Sequence, residues 1–163
     1  MNTTELETLI RSILTEQLQS HDDQPALACG CTSDGVALFD TVDAAVKAAH
    51  AAFKRFQEAP LKTRSSIVAA IRAGLADCLS ELSEAAALET GMGNAADKIL
   101  KNRAALENTP GVEDLVTTAL TGDEGMVLFE YSPYGVIGSV APSTNPTETI
   151  INNSISMLAA GNA

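Results

Sequence analysis

Serine, threonine and asparagine stand side by side at positions 143–145, between two prolines, in the run GVIGSVAPSTNPTETI (residues 135–150). Two hydroxyls and a carboxamide can orient a ligand or donate to a developing negative charge without any shifted pKa. The same residues also suit a helix start. Asn145 is a good N-cap, Pro146 fits the first helical position because it leaves no N–H unpaired, and Glu148 stands where it can reach back to the cap. Two readings therefore share the stretch: a well-made helix start, and one wall of a ligand crevice at a strand's carboxyl end. The G-x-G-x-x-G pyrophosphate fingerprint is absent, and Glu148 would compete with a phosphate for the positive end of the helix. A nucleotide here should lie differently from the ordinary dinucleotide mode.

The remaining chemistry-bearing residues are sparse. Cys29 and Cys31 form an isolated Cys-Gly-Cys, and the histidines are His21 and His50. A structural zinc site needs about four ligands, usually in two pairs, so no metal site is expected. Cys78 continues a stripe of Ile67, Ala70, Ile71, Leu75, Leu79 and Leu82 at helical spacing, which is core packing. A nucleophilic cysteine wants basic neighbours or a helix N-terminus, and Cys78 has Asp77 and Glu81 nearby instead.

The elements that must position these groups change character along the chain. Residues 4–18 form an amphipathic helix with Leu6, Leu9, Ile10, Ile13, Leu14 and Leu18 on one stripe. A helix this short is marginal alone, so it either folds back on its own domain or docks on a partner. Residues 19–40 read as a flexible linker, and 41–163 as the body. Within the body a helix is expected over 41–58, stopping before Pro60, then a long one after Thr63 through Leu88, closed by Gly91. Asn94 and Asp97 open the next helix, which runs to about Asn108. A further helical segment is expected from Val112 to Leu120. From Gly125 the rhythm changes to two, which marks a strand over 126–132. Residues 136–141 read as a strand buried on both faces of a parallel sheet, and 147–160 as the helix after it. The body is thus α/β, with helices first and a strand–turn–helix unit last.

Composition limits the partners. With 10 Lys+Arg against 21 Asp+Glu and no basic run, nucleic acid and anionic membrane surfaces are excluded as partners. The first residues lack a basic n-region and a continuous apolar core, so they are no secretory signal, and a cytoplasmic protein is expected.

The stretches MNTTELETLIRSILTEQL, PLKTRS, ETGMGN, NTPGVEDL and TALTGDEGMVLFEYSPYGVIGSVAPSTNPTETIINNSISMLAAGN together resemble the CoA-acylating aldehyde dehydrogenases of bacterial microcompartments, in particular the propionaldehyde-oxidising type of propanediol utilisation. The resemblance covers nearly all of the chain outside the linker. It implies the N-terminal part of an aldehyde dehydrogenase fold: a helical segment, a bridging strand, then the first strand–helix unit of a Rossmann-like NAD domain. It implies NAD and coenzyme A as cofactor and co-substrate, and oxidation of propionaldehyde to propionyl-CoA. In such enzymes a cysteine thiolate attacks the aldehyde, hydride passes to NAD, and CoA takes the acyl group.

By the same resemblance, Ala141, Pro142, Ser143, Thr144 and Asn145 lie beside the nicotinamide half of the cofactor. Thr144 or Asn145 supplies an oxyanion donor. The family's Pro-aromatic-Asn-aromatic-Pro pattern reads Pro-Ser-Thr-Asn-Pro here; with the prolines aligned, Thr144 takes the Asn position and Asn145 falls one residue later. Residues 1–18 resemble an encapsulation peptide that docks on a shell protein, which would place the enzyme in the microcompartment lumen, as a homo-oligomer when full length. The family's nucleophilic cysteine and glutamate base lie downstream of Ala163, and none of Cys29, Cys31 and Cys78 sits in the matching motif. The chain therefore reads as a fragment, itself inactive, whose Ile150, Ile151, Ile155 and Leu158 would each forgo about 1.5–3 kcal/mol of burial. Two rival readings remain: an acetaldehyde enzyme of ethanolamine use, and a non-catalytic, shell-targeted interaction module.

Overall fold

The computed structural model describes residues 38–163. The expected amphipathic helix over 4–18, most of the 19–40 linker, His21, Cys29 and Cys31 lie outside the described residues.

Helix α1 (Val42–Phe56) starts where Thr41 Oγ1 accepts the Ala44 N–H at 3.2 Å, and it carries Asp43 in its first turn and Lys54 and Arg55 in its last. These charges complement the helix dipole. Helix α2 (Leu61–Thr90) follows Pro60, which has an extended backbone and serves as the N-cap, so the helix begins two residues before Thr63. It ends at Gly91 with φ 62°, whose N–H returns to the Ala87 carbonyl at 3.0 Å. Only glycine takes that left-handed position without strain. Helix α3 (Ala95–Asn108) is capped as expected: Asn94 Oδ1 accepts from the Asp97 N–H at 2.9 Å.

The expected helix over 112–120 does not form. A single 3-10 turn (Val112–Asp114) is followed by strand β1 (Thr118–Gly122), which pairs antiparallel with β2 (Gly125–Phe129). The β-branched run Val116-Thr117-Thr118 disfavours helix and suits a strand. Gly122 faces Gly125 across the two-residue turn Asp123-Glu124, and the register places Thr118 opposite Phe129. Strand β2 confirms the start of the expected 126–132 strand but stops at Phe129.

Helix α4 (Pro146–Ala159) closes the described part, with Pro146 at its start as expected. Three helices make the core. Val68 and Leu79 of α2, Leu106 of α3, and Ile151, Ile155 and Ala159 of α4 are buried together, with Ile71, Leu75, Ile99, Ala105 and Val112 packed against them. Each of α3 and α4 presents an i, i+4, i+8 stripe: Lys98, Asn102 and Leu106 on one, Ile151, Ile155 and Ala159 on the other. Ile151 and Ile155 therefore do not lack partners, contrary to the sequence expectation. Helices α2 and α3 bury them, while Ile150 stays 59% exposed. Cys78 is buried on the α2 stripe, as its spacing predicts.

Residues 136–141 do not form the doubly buried strand expected of them, and Val140 is 93% exposed. Pairing begins only at the near end. The Ile137 N–H donates to the Ala163 carbonyl at 2.8 Å, and the Ala163 N–H donates to the Gly135 carbonyl at 3.0 Å. One residue bonding in both directions to residues two apart is the parallel pattern. The segment 135–137, helix α4 and Ala163 thus trace the opening of a β-α-β crossover. Buried Asn162 locks the join, its Oδ1 accepting from the Tyr134 and Gly135 N–H groups at 2.7 and 3.1 Å. Among the described residues, no helix is long and apolar enough to cross a membrane.

Candidate active-site turn

Helix α3 holds the turn that precedes α4. Lys98, only 8% exposed, donates from Nζ to the Thr144 carbonyl at 3.1 Å. One turn on, Lys101 Nζ lies 2.6 Å from Asn145 Oδ1 and 3.5 Å from Glu148 Oε2. Asn102, buried, accepts from the Thr147 hydroxyl at 3.1 Å and donates to Ser83 Oγ at 2.8 Å. Ser83 in turn donates to the Leu79 carbonyl of its own helix at 2.7 Å. A buried polar group is tolerated when its bonds are made, and Asn102 has partners on both ends of its carboxamide.

The turn itself is a backbone bend closed by the Asn145 N–H to the Pro142 carbonyl at 3.2 Å. Ala141, Pro142, Ser143 and Thr144 are exposed, and Asn145 through Thr149 are half-buried. The five expected site residues are therefore contiguous on one open surface, backed by α3. Next to them, Asn153 Nδ2 donates to Ser139 Oγ at 2.7 Å, tying α4 to the approach segment.

Two sequence expectations fail here. Asn145 occupies the N-cap position of α4 but makes no side-chain cap hydrogen bond, with φ −143° and ψ 57°. Glu148 does not reach back to the cap. Both are drawn off by Lys101, which satisfies the Asn145 oxygen and the Glu148 carboxylate together. A carboxylate so paired opposes a nearby anion less than a free one does, so the objection from Glu148 is weakened.

Sequence reasoning missed Lys98, Lys101 and Asn102. Their signal was present as D-K-I-L-K-N on a helix, since positions i, i+3 and i+4 share one face. Nothing local said which element that face would meet. Among the described residues, no group of His, Cys, Asp and Glu could hold a metal ion.

The aldehyde dehydrogenase family model matches residues 36–163. The chain belongs to the aldehyde dehydrogenase family. Within it, the chain is 66% identical over 163 residues to the CoA-propanoylating propanal dehydrogenase of Salmonella typhimurium, covering all of this chain and 34% of that protein. It is 43% identical over 155 residues to the acetylating acetaldehyde dehydrogenase of Bilophila wadsworthia, covering 95% of this chain and 32% of that one. Among solved structures, it resembles the propionaldehyde dehydrogenase of Rhodopseudomonas palustris with bound propionyl-CoA, at TM-score 0.76 and 49% identity over 87% of this chain and 31% of that one. It also resembles the propionaldehyde dehydrogenase of the Clostridium phytofermentans fucose utilisation bacterial microcompartment, at TM-score 0.74 and 45% identity over 77% and 29%. The chain spans about a third of the length of the curated aldehyde dehydrogenases it matches.

Proposed function

We propose that the chain is the N-terminal part of an NAD-dependent, CoA-acylating aldehyde dehydrogenase whose whole protein converts propionaldehyde to propionyl-CoA. The observation that carries this reading is the margin between relatives. Identity to the propanal enzyme is 66%, against 43% to the acetaldehyde enzyme, over nearly the same residues.

The turn suits the nicotinamide half of the cofactor better than its pyrophosphate. Gly138, Ser139, Ala141, Pro142 and Ser143 are small and exposed, which leaves room for a flat ring, and no glycine fingerprint cradles phosphates. Ala141, Pro142, Ser143, Thr144 and Asn145 would line that half. When bound, NAD supplies the hydride acceptor and CoA the thiol that takes the acyl group. The chain's own contribution is positional. Thr144 and Asn145 offer donors to the reacting oxygen, and Lys98 fixes the Thr144 backbone from behind. A donor held in place before reaction costs no reorganisation when charge develops.

Residues 1–18 act as a docking peptide for a shell protein, through their apolar stripe, and residues 19–40 are the tether. This reading is supported by the amphipathic pattern and by the microcompartment source of the Clostridium relative. Residues 41–163 then supply the first part of the NAD domain, in an enzyme that works in the microcompartment lumen as a homo-oligomer.

The test uses the whole protein. CoA-dependent NADH formation should show a kcat/KM for propionaldehyde at least about tenfold above that for acetaldehyde, since one buried methylene is worth about 1–3 kcal/mol. A preference for acetaldehyde overturns the substrate assignment. Deleting residues 1–18 should leave turnover intact and abolish co-purification with shells; unchanged co-purification removes the docking role.

A further inference from the structure

We propose that Lys101 is a positioning residue that turns the Asn145 carboxamide, presenting its N–H end rather than its oxygen to the reacting oxygen of the substrate. This rests on the assignment of the 143–145 turn to the catalytic crevice. It goes further by choosing Asn145 over Thr144 and by naming the group that makes Asn145 competent.

The chemistry of the contact fixes the amide's orientation. An ammonium has three donors and no acceptor, so the atom 2.6 Å from Lys101 Nζ must be the carboxamide oxygen. Among the described residues no hydrogen bond engages Asn145 Nδ2, and the donor end is left available. A positive charge on the oxygen also draws density from the amide, which strengthens its N–H groups as donors. Thr144 is held differently. Its carbonyl is taken by Lys98, and among the described residues no hydrogen bond aims its exposed hydroxyl.

The molecule contains its own control. Asn94 and Asn145 stand at the N-cap positions of α3 and α4. Asn94, with ψ 156°, caps: its oxygen accepts from the third residue on, Asp97. Asn145, with ψ 57°, does not cap, and its oxygen goes to Lys101. The default behaviour of an N-cap asparagine is to spend its oxygen on the helix. Lys101 replaces that partner, and the Glu148 carboxylate, 3.5 Å from the same ammonium, balances its charge.

The experiment compares Lys101→Met, Lys101→Arg, Asn145→Ala and the Asn145→Ala/Lys101→Met double variant in the whole enzyme, reading kcat and KM for propionaldehyde and NAD. Removing an oxyanion donor costs about 10²–10³ in kcat, which is expected of Asn145→Ala. Lys101→Met should lose about tenfold in kcat, with KM for NAD changed less than about twofold, and Lys101→Arg should recover most of the loss. The double variant should fall no further than Asn145→Ala, because residues that act as one unit are not additive. If Lys101→Met does not fold, Lys101→Gln keeps a neutral donor to the oxygen and should show a smaller kcat loss of the same kind. Wild-type kcat in the Lys101 variants beside an impaired Asn145→Ala overturns the positioning role alone, as does full additivity in the double. Wild-type kcat in Asn145→Ala overturns the donor assignment itself, and the role of Lys101 with it.

Discussion

Two regions of this chain are equally regular and differ in what their regularity buries. Helices α2, α3 and α4 bring Ile155 to 0% exposure, Leu79 and Ile151 to 3%, and Leu106 to 4%. The β1–β2 hairpin is paired along its whole length, and all ten of its residues are exposed. Leu120, Met126, Val127, Leu128 and Phe129 are each more than half exposed. The difference shows that backbone pairing and core formation are separable. A hairpin satisfies its own N–H and C=O groups, yet a two-stranded ribbon is marginal in water until something covers a face. The helices, by contrast, gain about 1.5–3 kcal/mol for each large apolar side chain fully withdrawn from water. Stability within residues 38–163 therefore resides in the helical part, and the turn at 142–145 is built on that part.

The comparison breaks or holds on one pair of substitutions. Ile155→Ala in the 163-residue chain should lower the unfolding free energy by about 2–5 kcal/mol, because the cavity opens where three helices meet. Val127→Ala, at a hairpin residue 54% exposed, should change it by less than about 0.5 kcal/mol. Urea unfolding followed by far-ultraviolet circular dichroism measures both. Equal midpoint shifts would show that the hairpin is part of the cooperative core, through self-association or otherwise.

Legibility in the sequence followed the range of the interactions. The Asn94–Asp97 cap, the left-handed Gly91, the stop before Pro60 and the start at Pro146 are all decided within a few residues, and all appeared where the pattern placed them. The helix that the pattern predicts over 112–120 does not form, since a β-branched run becomes a strand only once a second strand lies beside it. The strand expected over 136–141 is realised only at its near end, where Ala163 supplies the parallel partner. At the site, the small polar turn was visible, but the three α3 side chains that hold it were not. Lys98 and Thr144 are 46 residues apart, and Lys101 and Asn145 are 44 apart. For the same reason the local pattern points to a cap at Asn145 that the structure does not make. Local propensity favoured that role, and a tertiary cation overrode it.

The join between the two regions offers the finest test. Val112–Asp114 turns the chain from α3 toward the hairpin, and Glu113 closes that turn on itself. Its own backbone N–H, and then the Gly111 N–H at 2.9 Å, hold the carboxyl below the ordinary carboxylate value of about 4.5, with Arg72 of α2 adding a weaker attraction. Arg72 also donates to the Thr109 carbonyl at 2.7 Å, so α2 grips both sides of the turn. A carboxylate whose pKa is lower in the folded state binds fewer protons there than when unfolded. Its contribution is then fully present above the unfolded pKa and is lost as pH falls through the folded one. Because Glu113 is largely exposed, the effect is small and salt-sensitive. Glu113→Gln should be slightly less stable than the parent at pH 7, and the gap should close below pH 4.5 as the parent's carboxyl protonates. Urea midpoints of the two proteins from pH 7 down to pH 3 decide it. A gap that persists unchanged at the acid end would mean that shape, rather than charge, holds the turn, and that the hairpin is tethered to the helices by packing alone.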